Sequence, residues 1–162
     1  VPEENLIGGV NGFKAMLGGL NSGRIGVAAL CCGISQSALD LAVEYAKERE
    51  AFGGTLADLQ AIQFKLADMA VGLETSRLLT LKAAYLKDEN KNFISAASMA
   101  KLYASETCNR IVSEALQIHG GNGYIQEYLI EKLYRDARVT TIYEGTTEIQ
   151  KLVIARQVLK GK

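Results

Sequence analysis

Glu144 stands at an unusual junction. A β-branched run, Val139, Thr140, Thr141 and Ile142, leads with Tyr143 up to it, and Gly145-Thr146-Thr147-Glu148 follows with the composition of a helix start. A carboxylate there lies beside free backbone N–H groups and the positive end of a helix dipole. Those N–H groups could polarise a substrate carbonyl, an oxyanion hole beside a base. On local pattern alone, an acidic residue that only complements a helix N-terminus fits better.

Other candidates read the same way one at a time. Gly120-Gly121-Asn122-Gly123 could bring backbone close to a phosphate, but no strand precedes it and no Lys-Ser/Thr follows, so it is neither a P-loop nor a dinucleotide fingerprint. A helix C-cap is the better local reading, and His119 beside it reads as a capping or packing histidine. Arg49 suits the end of a helix dipole. Asn21-Ser22-Gly23-Arg24 reads as a turn and N-cap followed by a solvated arginine. One histidine and three cysteines without a CxxC spacing make a metal site improbable; Cys31, Cys32 and Cys108 read as small apolar residues.

The elements that must position these residues are helical. The one proline is Pro2, and strand-type alternation is almost absent. A short helix is expected around Gly12 to Leu20, and a second from about Ser22 to Glu50. The second begins apolar on every side (Ile25, Val27, Ala28, Ala29, Leu30, Cys31, Cys32, Ile34), which implies cover from another domain or subunit. Phe52-Gly53-Gly54 is expected to cap it, and Thr55-x-x-Asp58 has capping-box spacing for the next. That third helix carries two stripes, Ile62, Leu66, Met69, Leu73 and Phe64, Val71, Leu78, Tyr85. The polar turn 87–92 leads to a fourth, about Phe93 to His119, with Ala97, Ala100, Ala104, Cys108, Ile111, Ala115 and Ile118 at intervals of three and four. A short helix near Glu131 to Ala137, an extended link over Val139 to Tyr143 and a last helix from about Thr146 to Leu159 complete the chain. Four long helices with short turns predict an all-α fold, an antiparallel four-helix up-and-down bundle with short extra helices, as one domain over residues 1–162.

Composition narrows the function classes. With 18 Lys and Arg against 18 Asp and Glu, the chain lacks the charge that non-specific nucleic-acid binding draws on. No apolar run is read as long enough for a membrane helix, and nothing resembles a signal peptide. The chain starts at Val1-Pro2 rather than Met, in a glycine-rich stretch that reads as a linker and is compatible with a piece of a longer protein.

Together and in order, the motifs are more specific. Arg49-Glu50-Ala51-Phe52-Gly53, then Gln60 and Gln63-Phe64, then Gln117-x-His119-Gly120-Gly121-Asn122-Gly123-Tyr124, then Glu131-Lys132-x-x-Arg135-Asp136-Ala137, then Ile142-Tyr143-Glu144-Gly145-Thr146-x-x-Ile149-Gln150 resemble the C-terminal helical domain of acyl-CoA dehydrogenases, from Val1-Pro2 to about Arg156.

The resemblance implies a longer flavoenzyme with an N-terminal helical domain and a middle β domain outside this chain. It implies FAD, an acyl-CoA substrate, electron-transfer flavoprotein as electron acceptor, and a homo-oligomer, dimer or tetramer. By motif position, Arg49, Phe52, Gln60, Gln117, Gly120 and Gly121 would meet the flavin's ADP and pyrophosphate portion across a dimer interface. Thr146 and Glu148 would meet it in their own subunit, while Asn21, Arg24, Tyr143 and Gly145 would serve the substrate. Glu144 would be the base, taking the α-proton while the β-hydrogen leaves as hydride to flavin N5, to give a 2,3-enoyl-CoA. The thioester carbonyl would be bound by the Glu144 backbone N–H.

Isovaleryl- and long-chain-type members carry the base immediately before the arginine matching Arg24. Gly23 stands there instead, which sides with the short-, medium- and branched-chain types. Asn21 departs from the Asp that many members carry, which weakens the expected CoA contacts through Asn21 and Arg24. The family fits a bacterial cytoplasm or a mitochondrial matrix and a place in fatty-acid β-oxidation. The contrasting reading is a non-catalytic helical module that oligomerises or binds a partner. A nitroalkane oxidase would carry Asp at the base position, and a DNA-repair-associated relative a strongly basic surface. The chain by itself is expected to be inactive and to bind FAD weakly or not at all.

Overall fold

The computed structural model describes residues 2–5 and 11–160. Residues 6–10, part of the glycine-rich linker read from sequence, lie outside them. Five helices form the bundle: α1 (Gly12–Glu48), α2 (Gln60–Asp88), α3 (Ile94–His119), α4 (Ile130–Arg138) and α5 (Thr147–Leu159). A two-residue hairpin, β1 (Glu50–Ala51) with β2 (Gly54–Thr55), joins α1 to α2. The all-α antiparallel bundle with short extra helices is therefore present, though the fourth long helix, α5, has 13 residues where α1, α2 and α3 have 37, 29 and 26.

α3 is the centre, packed against α1, α2, α4 and α5. Its stripe of small residues explains why. Ala97, Ala100, Ala104, Cys108, Ile111 and Ala115 are buried, and Ala28, Cys31, Ala38, Ala42 and Ala46 of α1 are buried with them in one core. Small side chains let two backbones approach closely. The three cysteines are free and buried, as the reading of small apolar residues expects.

Four local expectations are corrected. The helix around Gly12 to Leu20 and the one from Ser22 are a single helix, α1, running through Asn21-Ser22. The Asn21 side chain does not cap a backbone N–H there but accepts a bond from Arg24. The segment before Asn21 is largely exposed, and burial of α1 from Arg24 onward, with the Asn21–Arg24 bond, carries the helix through the turn signal. Second, Gly53-Gly54 does not cap α1. Phe52 and Gly53, at φ 56° and 85°, form the tight turn of the hairpin. The Thr55–Asp58 bonds do form, with Asp58 Oδ2 accepting from Thr55 N (2.7 Å) and Thr55 Oγ1 (2.9 Å), and they hold the Asp58 carboxyl below its ordinary range.

Third, the link expected to be extended after α4 is a single 3-10 turn, Val139–Thr141. The buried Thr140 hydroxyl donates to Ala137 O at 2.7 Å, a local side-chain bond that competes with extended backbone. Fourth, α1 within Met16–Glu48 is long and apolar enough to cross a membrane by length and composition, against the expectation that no apolar run reaches that length. Here its inner side is bundle core.

Of the two α2 stripes, Met69 and Leu73 are buried and Ile62 and Leu66 pack on the core. Phe64, Val71, Leu78 and Tyr85 face outward. So do Ala29 and Leu30 of the all-apolar stretch of α1.

Because Ala104 is only 1% exposed, Ala104→Leu has no room between α1 and α3. It is expected to destabilise the bundle by about 1–3 kcal/mol in a urea titration.

Candidate active site

The chain reaches Glu144 in a conformation that costs energy. Glu144 has φ 54° and Gly145 φ 89°, two consecutive left-handed residues, before Thr146 caps α5. For a residue with a long side chain, that backbone costs on the order of 1–3 kcal/mol and persists only where surroundings over-determine it. The surroundings do so here. Gln150 Nε2 donates to Glu144 O (3.2 Å) and Gly145 O (2.9 Å), and Lys101 Nζ donates to Gly145 O (2.8 Å). Gln150 and Lys101 are both fully buried.

In a planar trans peptide the N–H points opposite the carbonyl. Gly145 and Thr146 therefore turn their N–H groups away from this clamp. Among the described residues, nothing accepts a bond from the N–H of Glu144, Gly145 or Thr146. The arrangement leaves donors free beside a carboxylate.

The Glu144 carboxylate itself points at α1. A Cβ built on Gly23 would lie 2.5 Å from Glu144 Oε2 and 2.9 Å from its Cδ. Only glycine leaves that gap, so position 23 and the Glu144 carboxylate share one space. Oε2 is buried and finds no hydrogen-bond partner in the described chain. Arg24, 8% exposed, stands beside it and donates to Asn21 Oδ1 (2.9 Å) and Ser98 Oγ (3.2 Å). Burial lowers the Arg24 pKa, and the Glu144 charge opposes that shift. The solvated arginine expected from sequence is thus a buried one, aimed by Asn21 and Ser98.

α5 begins with two hydroxyls and one acid in ordered roles. Thr146 Oγ1 accepts from Ile149 N at 3.4 Å, and Thr147 Oγ1 donates to Glu106 Oε1 at 2.6 Å. The Glu148 carboxyl is held below its ordinary range by its own backbone N–H and by the Thr146 hydroxyl. A polar recess of about 390 Å³ opens here, lined by Glu106, Arg138, Thr141, Ile142, Thr146 and Glu148 among others. Tyr143, the residue before Glu144, is partly exposed, and desolvation raises its pKa.

The other predicted residues gather elsewhere. His119 stacks on Tyr45 with ring centroids 4.4 Å apart, and Asn122 Nδ2 donates to Tyr45 OH at 3.0 Å, so the end of α3 meets the end of α1. Gln117, Gly120, Gly121, Arg49, Phe52 and Gln60 are exposed at that end, Phe52 92% so. Arg24 lies 24 residues before the last residue of α1, so this end is ~36 Å from the Glu144 corner by helical rise. The structure thus brings Asn21, Arg24, Tyr143, Glu144, Gly145, Thr146 and Glu148 together and keeps the remaining six apart.

Sequence reasoning missed the α3 side chains that hold the corner, Ser98, Lys101 and Glu106. A signal existed for one of them. Lys101 is four residues after Ala97 and three before Ala104, a charge on the apolar stripe.

Residues 10–159 match the family model described as acyl-CoA dehydrogenase, C-terminal domain. The caffeyl-CoA reductase-Etf complex subunit CarC of Acetobacterium woodii is 55% identical over 161 residues, 99% of this chain and 42% of that protein. The mitochondrial short-chain specific acyl-CoA dehydrogenase of Sus scrofa is 57% identical over 163 residues, 99% of this chain and 40% of that protein. Among solved structures, butyryl-CoA dehydrogenase from Megasphaera elsdenii superposes with a TM-score of 0.92 at 47% identity, covering 93% of this chain and 39% of that one. The chain spans about two fifths of the length of these relatives.

Gly23→Ala is expected to push the Glu144 carboxylate out of its gap while α1 stays intact. A crystal structure of the variant shows the displacement, and its melting temperature stays within a few degrees of the parent. Gln150→Leu leaves the Glu144 carbonyl without its donor. It is expected to cost about 1–3 kcal/mol in a denaturant titration.

Proposed function

Because the chain belongs to the acyl-CoA dehydrogenase family, matching its C-terminal domain, we propose that it supplies the base of a FAD-dependent enzyme that desaturates an acyl-CoA thioester between its α- and β-carbons. The observation that carries this reading is the Glu144 corner. A carboxylate with one oxygen buried and unpartnered, next to backbone donors without acceptors, is arranged to take a proton from a carbon beside a carbonyl.

The residues fit the cofactor. FAD carries a diphosphate, and exposed Arg49 with exposed glycine backbone at Gly120-Gly121 is the donor set a diphosphate prefers. Thr146 and Glu148 line a polar recess at the other end. The ~36 Å between these two groups along α1 supports the reading that they serve cofactors of different subunits in a homo-oligomer. When bound, FAD accepts the hydride that leaves the substrate's β-carbon. Electrons would pass on to an electron-transfer flavoprotein.

This chain's own part is to bind, orient and move one proton. The Glu144 backbone N–H and its neighbours hold the thioester oxygen, which acidifies the α-carbon. The Glu144 carboxylate takes the α-proton, and the C–H electron pair becomes the new carbon–carbon double bond as the β-hydrogen departs. Arg24, held by Asn21 and Ser98, keeps a positive charge beside the carboxylate. With Gly23 at the alternative position, no second carboxylate competes from α1. Substrate binding excludes water, which strengthens every one of these interactions.

A relative named as a reductase favours a second direction for the same chemistry. In reverse, the protonated Glu144 would return its proton to the α-carbon of an enoyl-CoA while hydride arrives at the β-carbon. One carboxylate serves both directions, so the site chooses the reaction class and the electron supply chooses the direction.

In the whole flavoprotein, Glu144→Gln is expected to bind FAD normally and to lose about 10²–10⁴-fold in the rate at which an acyl-CoA bleaches the flavin absorbance. A variant that bleached at the parent rate would remove Glu144 from the role of base.

A further inference from the structure

Lys101 is the largest fully buried side chain among the described residues, at 0% exposure. It stands on the alanine stripe of α3, where apolar packing alone would call for another small residue like Ala97, Ala100 or Ala104. Burying an ammonium is costly unless it is paired and hydrogen-bonded. Burial does pull its pKa down, and the groups opposing that include Cys31, Glu106 and Glu144. Its hydrogen bond goes to the carbonyl of Gly145, the residue after Glu144, at 2.8 Å. The cost is therefore incurred at one place, the left-handed corner.

We propose that Lys101 is a positioning residue for Glu144: its buried ammonium, with Gln150, fixes the Glu144–Gly145 corner and so aims the carboxylate into the gap over Gly23. The inference rests on reading Glu144 as the base. Two effects follow. The first is geometric. Without the Lys101 donor, Gly145 O keeps only Gln150, and a strained two-residue turn held by one amide samples other orientations. The second is electrostatic. Glu144 faces Arg24 from α1 and Lys101 from α3, with Tyr143 beside it on its own segment; Glu106 of α3 and Glu148 of α5 in turn face Lys101. Losing one of two cations weakens the field that favours the ionised carboxylate, and Arg24 keeps part of it.

The test is Lys101→Met in the whole flavoprotein, with Lys101→Gln as a second variant that keeps a donor without the charge. Flavin bleaching by a short acyl-CoA is followed across pH, together with FAD content and melting temperature. Lys101→Met is expected to bleach about 10- to 100-fold more slowly, the loss that ångström-scale misplacement of a reacting group brings, with KM little changed. The rising limb of kcat/KM against pH is expected to move to higher pH in both variants, with a smaller rate loss in Lys101→Gln. A merely structural lysine would lower the melting temperature and leave that limb in place.

Glu144→Gln run alongside separates the two claims. If it bleaches normally, the base assignment fails and this inference with it. If it is silent while Lys101→Met keeps the parent rate and pH limb, only the positioning role is overturned. Failure of both lysine variants to assemble with FAD also overturns it, because Lys101 is then needed for folding alone.

Discussion

The structure around the site depends on one backbone constraint: Glu144 and Gly145 both occupy the left-handed region, with their carbonyls bound by two buried side chains. A glutamate at φ 54° does not stay there unaided. Lys101 reaches it from α3 and Gln150 from α5, so the corner is held by two helices that are themselves locked to the core. Thr147 adds a bond to Glu106 of α3. The direction of one carboxylate is thus set by the packing of the bundle.

That dependence gives α3 two jobs. Its apolar stripe, from Ala97 to Ala115, brings α1 close enough for Gly23 to touch the Glu144 carboxylate. Its polar side chains, Ser98, Lys101, Glu106 and Asn109, reach out to Arg24, Gly145, Thr147 and the Ala137 carbonyl. Small residues and buried polar residues alternate on the same helix because proximity is what lets short polar contacts form. A bulkier α3 would pack as well on its own account and still lose the corner.

Much of the fold was legible from periodicity: α2, α3, α4 and α5 lie within a few residues of their expected bounds. The misses share a cause. The break at Asn21-Ser22, the cap at Gly53-Gly54 and the extended link after α4 are readings of local residue types; the Arg24–Asn21 bond, the β1–β2 hairpin and the Thr140–Ala137 bond stand there instead. Site residues divide similarly. The ordered motifs named Glu144 and its neighbours, and seven of them meet in one corner. Lys101, Ser98 and Glu106 carried no motif, since a residue that supports a backbone carbonyl from another helix leaves little trace beyond a charge out of place on an apolar stripe. The outward stripe on α2 was seen as periodicity, but period alone does not say which of two stripes faces the core.

A crystal structure of the whole flavoprotein with an acyl-CoA thioester that cannot be oxidised tests the role of Glu144 most directly. The thioester α-carbon is expected about 3–3.5 Å from a Glu144 carboxylate oxygen, with Glu144 still at positive φ and the carbonyl oxygen on the free backbone donors of the corner. An α-carbon out of reach of Glu144, or closer to a different carboxylate, would contradict it.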